Sequence, residues 1–268
     1  MASRSRLDAE LVRRGLAGSR EQAAVVIAAG RVLVAGRQAA KAATAVAPGE
    51  PIVVQGEDPG WASRGAHKLL AALEVFGAAD PPLAVRGRRC LDAGASTGGF
   101  TDVLLRHGAA SVLAVDVGYG QLLWRLRNDD RVSVLDRTNV RYLTSEQVGE
   151  PIELVVGDLS FIPLSLVLPA LMGVAVAGAD LVLLVKPQFE VGRERLGSGG
   201  VVRDPELRAG AVRGVAASAA ERGLGVAGVV ASPLPGPAGN VEYALWLRAG
   251  APALDEQSLT RAIEDGPQ

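Results

Sequence analysis

Apolar positions in this chain follow two regimes. Over the first ~55 residues they recur at helical spacing and then in short alternating pieces, whereas from residue 86 they gather into compact runs set between helical and Gly-rich segments. In SRLDAELVRRGL, Leu7, Leu11, Val12 and Leu16 share one helical stripe, which Gly15 closes. SREQAAVVIAAG opens on Ser19 with Gln22 three residues later, a capping-box pattern, and stops at Gly30. The pieces RVLVAG and APGEPIVVQG then read as small strands around turns.

Residues 55–63, QGEDPGWAS, break both helix and strand and read as a linker in which Trp61 can pack. SRGAHKLLAALEVFG follows as a helix, apolar at Leu69, Leu70, Leu73 and Phe76, and it delivers Lys68 just ahead of the second regime. There, a first strand ends at Asp92, a turn GASTGG supplies Gly94, Ser96, Gly98 and Gly99, and a helix leads to a second strand ending in Asp116. Further strands are expected at 132–136, 152–160, 181–186, 225–232 and 241–248. This alternation predicts an α/β fold: a Rossmann-like, doubly wound and mostly parallel sheet, preceded by a small α+β domain. The expected boundaries are 1–58, a linker at 59–65, and 66–268. Ligands of such sheets sit at the carboxyl ends of the strands, which is where LVLLV stops on Lys186.

Charge sharpens the division. The 268 residues carry a net charge of −1, which gives no global sign of a polyanionic partner. Residues 1–50, however, hold eight basic against four acidic residues, so a basic module is joined to an acidic body. A helix pair followed by short strands, with arginines on its exposed side, can lie against an RNA groove. Among 28 basic residues only Lys41, Lys68 and Lys186 are lysines. An ammonium can lose its proton when crowded or buried and a guanidinium cannot, so a retained lysine marks a place where that difference counts.

Other classes are excluded by what is missing. A single cysteine, Cys90, permits no internal disulfide, and with two histidines a zinc site is not expected, so the chain suits a reducing cytoplasm. No apolar leader is visible at the N-terminus. The stretch 164–185 is long enough to cross a membrane, but Pro169 and Asp180 divide it into a helix, a turn and a strand. No spare apolar face is evident, so a monomer is expected. The Gly-rich turn lacks a following G-K-[ST] and the G-x-G-x-x-G spacing, which disfavours triphosphates and dinucleotides. Asp116 is placed to accept both hydroxyls of a ribose. The fourth strand ends in GDLSFI rather than the proline-paired loop of enzymes that methylate adenine amines, and Cys90, before the turn, is misplaced for thiol chemistry. If the turn holds a methyl donor, as the resemblance given below implies, a hydroxyl remains as the acceptor, and it needs a base within ~3 Å. Lys68, Asp158, Lys186 and Glu242 are all expected at element ends on one rim of the sheet.

These motifs carry resemblances. The turn with Asp116 is similar to the first motifs of class I S-adenosylmethionine-dependent methyltransferases, which implies that Asp92, Gly94, Ser96, Gly98, Gly99 and Asp116 bind that cofactor and that Asp136 meets its adenine edge. Residues 4–54 resemble the S4-type RNA-binding domain, which implies that Arg4, Arg6, Arg20 and Lys41 face RNA. Pseudouridine synthases share the RLD at 6–8, but no later GRLD-type segment is present. The order Lys68, Asp158, Lys186, Glu242 resembles the tetrad of FtsJ-type ribose 2′-O-methyltransferases. With SRGAHKL, LDAGASTGGFT, DVGYGQL, DLSFI, KPQFE and ASPLPGPAGNVEY in sequence, nearly the whole chain resembles the TlyA family, often labelled hemolysin. The resemblance implies 2′-O-methylation of cytidines in 16S and 23S ribosomal RNA, linked to sensitivity to capreomycin-type antibiotics. By it, Lys186 is the base or orients the hydroxyl, Lys68 lowers its pKa, and Asp158 and Glu242 hold the two ammonium groups. Arg137 and Arg141, beside the expected site, are read as RNA contacts. One departure is the linker PGWA, which lacks the arginine the family can carry before its tryptophan. Competing readings are a membrane-active hemolysin, a noncatalytic RNA binder on a methyltransferase fold, and methylation of a base or a protein.

Overall fold

The computed structural model describes residues 4–17, 19–28, 30–55 and 60–267, and the chain divides into two compact units between Arg64 and Gly65. The expected domain boundary at residue 58 lies outside the described residues, as does the Gln22 side chain of the capping box.

In the first unit, β1 (Ser5–Arg6) leads into α1 (Leu7–Arg13) and α2 (Arg20–Ala28). Short strands β2 (Val32–Val34), β3 (Arg37–Gln38), β4 (Ala45–Val46) and β5 (Ile52–Val54) follow. β1 pairs with β4, and β3-β2-β5 form a three-stranded antiparallel sheet. Leu7 and Leu11 are buried with Ile27, Val32 and Val46, as their stripe predicts. Leu16 departs from it: Gly15 adopts a positive φ of +69°, the chain turns off the helix axis, and Leu16 is left exposed.

The second unit begins with α3 (Ala66–Gly77) and alternates β6 (Arg89–Ala93), α4 (Gly99–Arg106), β7 (Ser111–Val115), α5 (Trp124–Arg127), β8 (Val132–Leu135), α6 (Ser145–Val148) and β9 (Ile152–Gly157). It continues through α7 (Leu168–Gly173), β10 (Ala175–Val185), α8 (Pro187–Glu190), α9 (Pro205–Ala220), β11 (Leu224–Ala231), β12 (Tyr243–Ala249) and α10 (Glu256–Glu264). The sheet order is β11-β12-β10-β9-β6-β7-β8, parallel except that β12 runs against both neighbours. That reversal has a geometric consequence: the start of β12 lies beside the end of β10, with Val185 opposite Tyr243. Residues 179–185 are all buried, as an apolar run in a doubly covered sheet must be.

The strand ends correct the sequence reading in ways that bear on the site. β7, β8 and β9 each stop one residue before Asp116, Asp136 and Asp158, so these carboxylates stand on the rim. β6 runs one residue past Asp92, which places that side chain inside the fold with no exposed surface. Asp180 does not end a turn but sits within β10, because Arg88, Arg248 and the Trp246 indole N–H all donate to its buried carboxylate. No helix among the described residues is long and apolar enough to cross a membrane.

Removing the Asp180 carboxylate leaves two guanidinium groups and an indole N–H without their acceptor. Asp180→Ala is expected to cost about 3–5 kcal/mol, read as a lower urea midpoint with an unchanged slope; a loss below ~1 kcal/mol would show that this cluster is not what fastens β10 to β12.

Candidate active site

The glycine turn after β6 works through its backbone. Gly94, Ser96 and Gly98 take positive φ values of +85°, +49° and +97°, which fold the turn back over the strand ends, and Gly99 opens α4. A Cβ on Gly94 would stand 2.9 Å from the Asp158 carbonyl oxygen, so the turn can approach the neighbouring strand end only without one. The Asp116 carboxylate accepts from the backbone N–H of Ser96 at 2.8 Å and of Gly118 at 2.7 Å, one on each oxygen. Each oxygen retains a lone pair for a further donor. Asp136 accepts from the Arg127 guanidinium at 2.7 Å and from the Gly120 N–H at 3.3 Å, and Arg127 holds its carboxyl below the usual range. A cavity of about 460 Å³ opens beside the loop, lined by residues 119–124 and Arg127.

Asp92 is different in kind. Its Oδ2 accepts both the N–H and the hydroxyl of Thr101, at 2.8 and 2.7 Å, tying the first turn of α4 to β6. Its Oδ1 is buried and has no partner. Burial pushes this carboxyl up to about 7, although the Thr101 hydrogen bonds pull the other way.

Four elements converge on the second cluster. α3 supplies Lys68, the end of β9 supplies Asp158, the end of β10 supplies Lys186, and the residue before β12 is Glu242. Lys68 Nζ donates to Glu242 at 2.6 Å and to Asp158 Oδ2 at 3.1 Å. Lys186 Nζ lies 2.6 Å from Asp158 Oδ1, with angles outside hydrogen-bonding alignment, and donates at 2.8 Å to Ser160 Oγ. Glu242 is 1 % exposed, while Asp158 keeps 22 % of its side chain open. Burial opposes the charge on Lys68, but Asp158 and Glu242 outweigh it and hold the ammonium above the ordinary lysine value. The same balance, burial against the two lysines, holds Asp158 below the usual carboxylate range.

Around this centre the structure adds residues that the sequence reading left aside although they lie in its quoted motifs. Ser160 fixes the second ammonium. Phe161 is 89 % exposed, takes φ of +64°, and leans its ring on Phe189 at 5.0 Å. A bulky side chain held in that backbone region is strained, and such strain is a feature of binding and catalytic sites. Gly236 faces Glu242 so closely that a Cβ would stand 2.7 Å from its Oε1, and buried Asn240 braces the same loop by accepting from Val202 N–H and donating to the Gly200 carbonyl. Arg137 lies over the exposed Tyr119 ring at 4.3 Å and Arg141 over Tyr142 at 5.5 Å, on the loops after β7 and β8. In the first unit, Arg4, Arg6, Arg20 and Lys41 are all exposed, and Arg6 and Arg20 both pair with Asp8. Cys90 is buried and its thiol is pushed up to about 12 by burial, which leaves it inert.

The family pattern of the FtsJ-like methyltransferases matches residues 61–249, and that of the S4 domain matches residues 5–52. The class is therefore an S-adenosylmethionine-dependent methyltransferase with an S4 domain in front of it. Among curated relatives, the 16S/23S rRNA (cytidine-2′-O)-methyltransferase TlyA of Mycobacterium tuberculosis is 60% identical over the full length of both chains. Hemolysin A of Brachyspira hyodysenteriae is 36% identical over 89% of this chain and 97% of its own. A solved structure from Streptococcus thermophilus that carries a provisional hemolysin name superposes with a TM-score of 0.74 at 38% identity, over 98% of this chain and 96% of that one. The chain belongs to the TlyA family of rRNA 2′-O-methyltransferases.

The raised Asp92 gives a pH signature. Its folded value, about 7, lies above the unfolded carboxylate value, so the folded state binds the extra proton and stability falls as pH rises from about 4 to about 7. Asp92→Asn removes that titration. The difference in melting temperature, variant minus wild type, should climb across this window and level off above it; a flat difference would mean that Asp92 is ionised throughout.

Proposed function

We propose that this protein transfers the methyl group of S-adenosylmethionine to the ribose 2′-oxygen of cytidines in 16S and 23S ribosomal RNA, with influence on sensitivity to capreomycin-type antibiotics. The observation that carries the reading is the buried meeting of Lys68, Asp158, Lys186 and Glu242 beside the glycine turn. The turn suits the cofactor: Asp116 offers one free lone pair on each oxygen to the two ribose hydroxyls, and Gly94, Ser96, Gly98 and Gly99 bring bare backbone to the methionine part. Asp136, with Arg127 fixing one oxygen, is assigned to the adenine edge. Asp92 holds the turn from beneath.

When bound, S-adenosylmethionine supplies an electrophilic methyl on a sulfonium, and the carbon–sulfur bond breaks with its electron pair going to sulfur. The 2′-oxygen makes the new bond to carbon, and its proton passes to Lys186 Nζ, which enters the step as the free amine. Asp158 and Ser160 orient that nitrogen from two sides. Lys68 stays charged between Asp158 and Glu242, which hold its ammonium in place. A hydroxyl acceptor fits this set because it must surrender a proton during transfer, and a general base of this kind contributes roughly 10²- to 10⁴-fold in rate.

Arg4, Arg6, Arg20 and Lys41 of the S4 domain grip RNA, and Arg137 and Arg141 steer the strand near the site. Phe161, exposed beside the cluster, offers an aromatic face for an unpaired base. The reaction takes place in the cytoplasm, where ribosomal subunits and a reduced Cys90 coexist.

The test is methyl transfer from radiolabelled S-adenosylmethionine to undermethylated ribosomal subunits. Lys186→Ala and Lys186→Arg should each lose about 100-fold or more in kcat while cofactor affinity by calorimetry stays within a factor of two or so. Label on a base rather than a 2′-oxygen would end the hydroxyl reading. Wild-type turnover by Lys186→Arg would instead remove Lys186 as the proton acceptor.

A further inference from the structure

The first turn of α1 gathers basic residues that lie far apart in the chain. Asp8 sits there with its side chain only 7 % exposed, and two largely exposed arginines converge on it, Arg6 at 52 % and Arg20 at 59 %. Arg6 Nε and Nη2 donate to Oδ1 and Oδ2 at 3.0 and 3.1 Å, a bidentate fork. Arg20 Nε and Nη2 both donate to Oδ2, at 3.2 and 2.9 Å. Each guanidinium has five N–H donors and spends two of them on Asp8, so three on each remain for another partner. The Asp8 backbone N–H also donates to the Ala42 carbonyl at 3.1 Å, and that of Leu7 to Thr44 at 2.8 Å. Thr44 in turn donates to the Lys41 carbonyl from its hydroxyl at 2.6 Å and its N–H at 3.0 Å, so the turn carrying Lys41 is fastened to the same spot.

We propose that Asp8 is a positioning residue for RNA: a buried carboxylate that freezes Arg6 and Arg20 side by side, with their unspent donors turned outward to take a phosphate backbone. The proposal rests on the reading of the S4 domain as the RNA grip. Its physical content is preorganisation. A free arginine loses side-chain entropy when it closes on a phosphate, and two arginines already locked in the folded protein have lost it beforehand. Hydrogen bonds from Arg6 hold Asp8 well below the usual carboxylate range, against burial and with help from Arg20, so the lock stays ionised under working conditions. Without such a role an acidic side chain facing a polyanion is a liability, since it cancels half of the charge the two arginines bring.

That contrast fixes the sign of the test. Simple electrostatics makes Asp8→Asn bind RNA more tightly, because a negative charge has been removed; preorganisation makes it bind more weakly. Binding of the full chain to undermethylated ribosomal subunits would be measured across a salt series for Asp8→Asn, Arg6→Ala, Arg20→Ala and Arg6→Lys. Glu21→Gln, at an exposed position of α2, serves as the charge control. The expected result is about a tenfold loss for Asp8→Asn with an unchanged salt slope, since both arginines remain. Arg6→Ala and Arg20→Ala should each weaken binding and flatten the slope by about one counterion, and Glu21→Gln should bind at least as well as wild type. Equal or tighter binding by Asp8→Asn, with both arginine variants weakened, overturns the proposal and leaves the RNA reading intact. Wild-type binding by both arginine variants overturns the two together. Melting curves report whether Asp8→Asn is folded; if it is not, Arg6→Lys decides. That variant keeps the charge and loses the fork, so wild-type binding overturns the proposal and a loss matching Arg6→Ala supports it.

Discussion

Two lysines share one carboxylate in this protein, and most of the larger domain is arranged around that fact. Lys68 and Lys186 take opposite oxygens of Asp158, and Glu242 supplies the second negative charge from a position with almost no exposure. Any one of these ions buried alone would cost several kcal/mol. Set together, two amines and two carboxylates give each buried group a partner of opposite character. Lys68, Lys186 and Glu242 are all nearly closed off, at 10, 7 and 1 % side-chain exposure, and solvent reaches the cluster chiefly at Asp158, at 22 %. The two lysines differ in partners rather than in burial: two carboxylates meet Lys68, and one carboxylate and the Ser160 hydroxyl meet Lys186.

The topology follows from this requirement. In an all-parallel sheet the strand next to β10 would begin at the far edge, and a residue preceding it would be some seven residues of strand away from Lys186. Running β12 backwards brings Glu242 to the rim where Asp158 and Lys186 already stand. Small residues then let the pieces close up: Gly157 beside Leu183 in the sheet, Gly94 beneath the Asp158 carbonyl, and Gly236 over Glu242. Asp180 performs a complementary service midway along the same strand, where Arg88 and two β12 residues, Trp246 and Arg248, donate to its carboxylate.

Much of this was legible in the sequence because its signals are local. LVLLV is a buried strand by composition, and a Gly-rich turn followed by a helix announces itself. The chain order of lysine, aspartate, lysine and glutamate was readable through resemblance. What was not legible depends on distant partners. Asp180 reads as a chain break until Arg88 and Trp246, 92 and 66 positions away, come to lie against it. Asp92 reads as a rim residue because a strand's last residue cannot be fixed from its own letters, and one residue decides whether a side chain faces solvent or core. Ser160 and Phe161 stood inside a recognised motif without a chemical signature of their own; the hydrogen bond to Lys186 and the exposed, strained ring are properties of the folded loop. Leu16 was lost to the stripe through the backbone sign at Gly15.

The sequence distances inside the charge cluster also set an order of events. Lys68 meets Asp158 across 90 residues and Glu242 across 174. A chain made from its N-terminus completes the S4 unit, whose contacts span at most about fifty residues, long before the last partner of Lys68 has been synthesised. The nascent protein therefore carries a finished S4 unit while the cluster around Asp158 still lacks a wall. The charge cluster is closed by the residue that precedes the final strand to emerge, so the S4 unit can be complete before the cluster is.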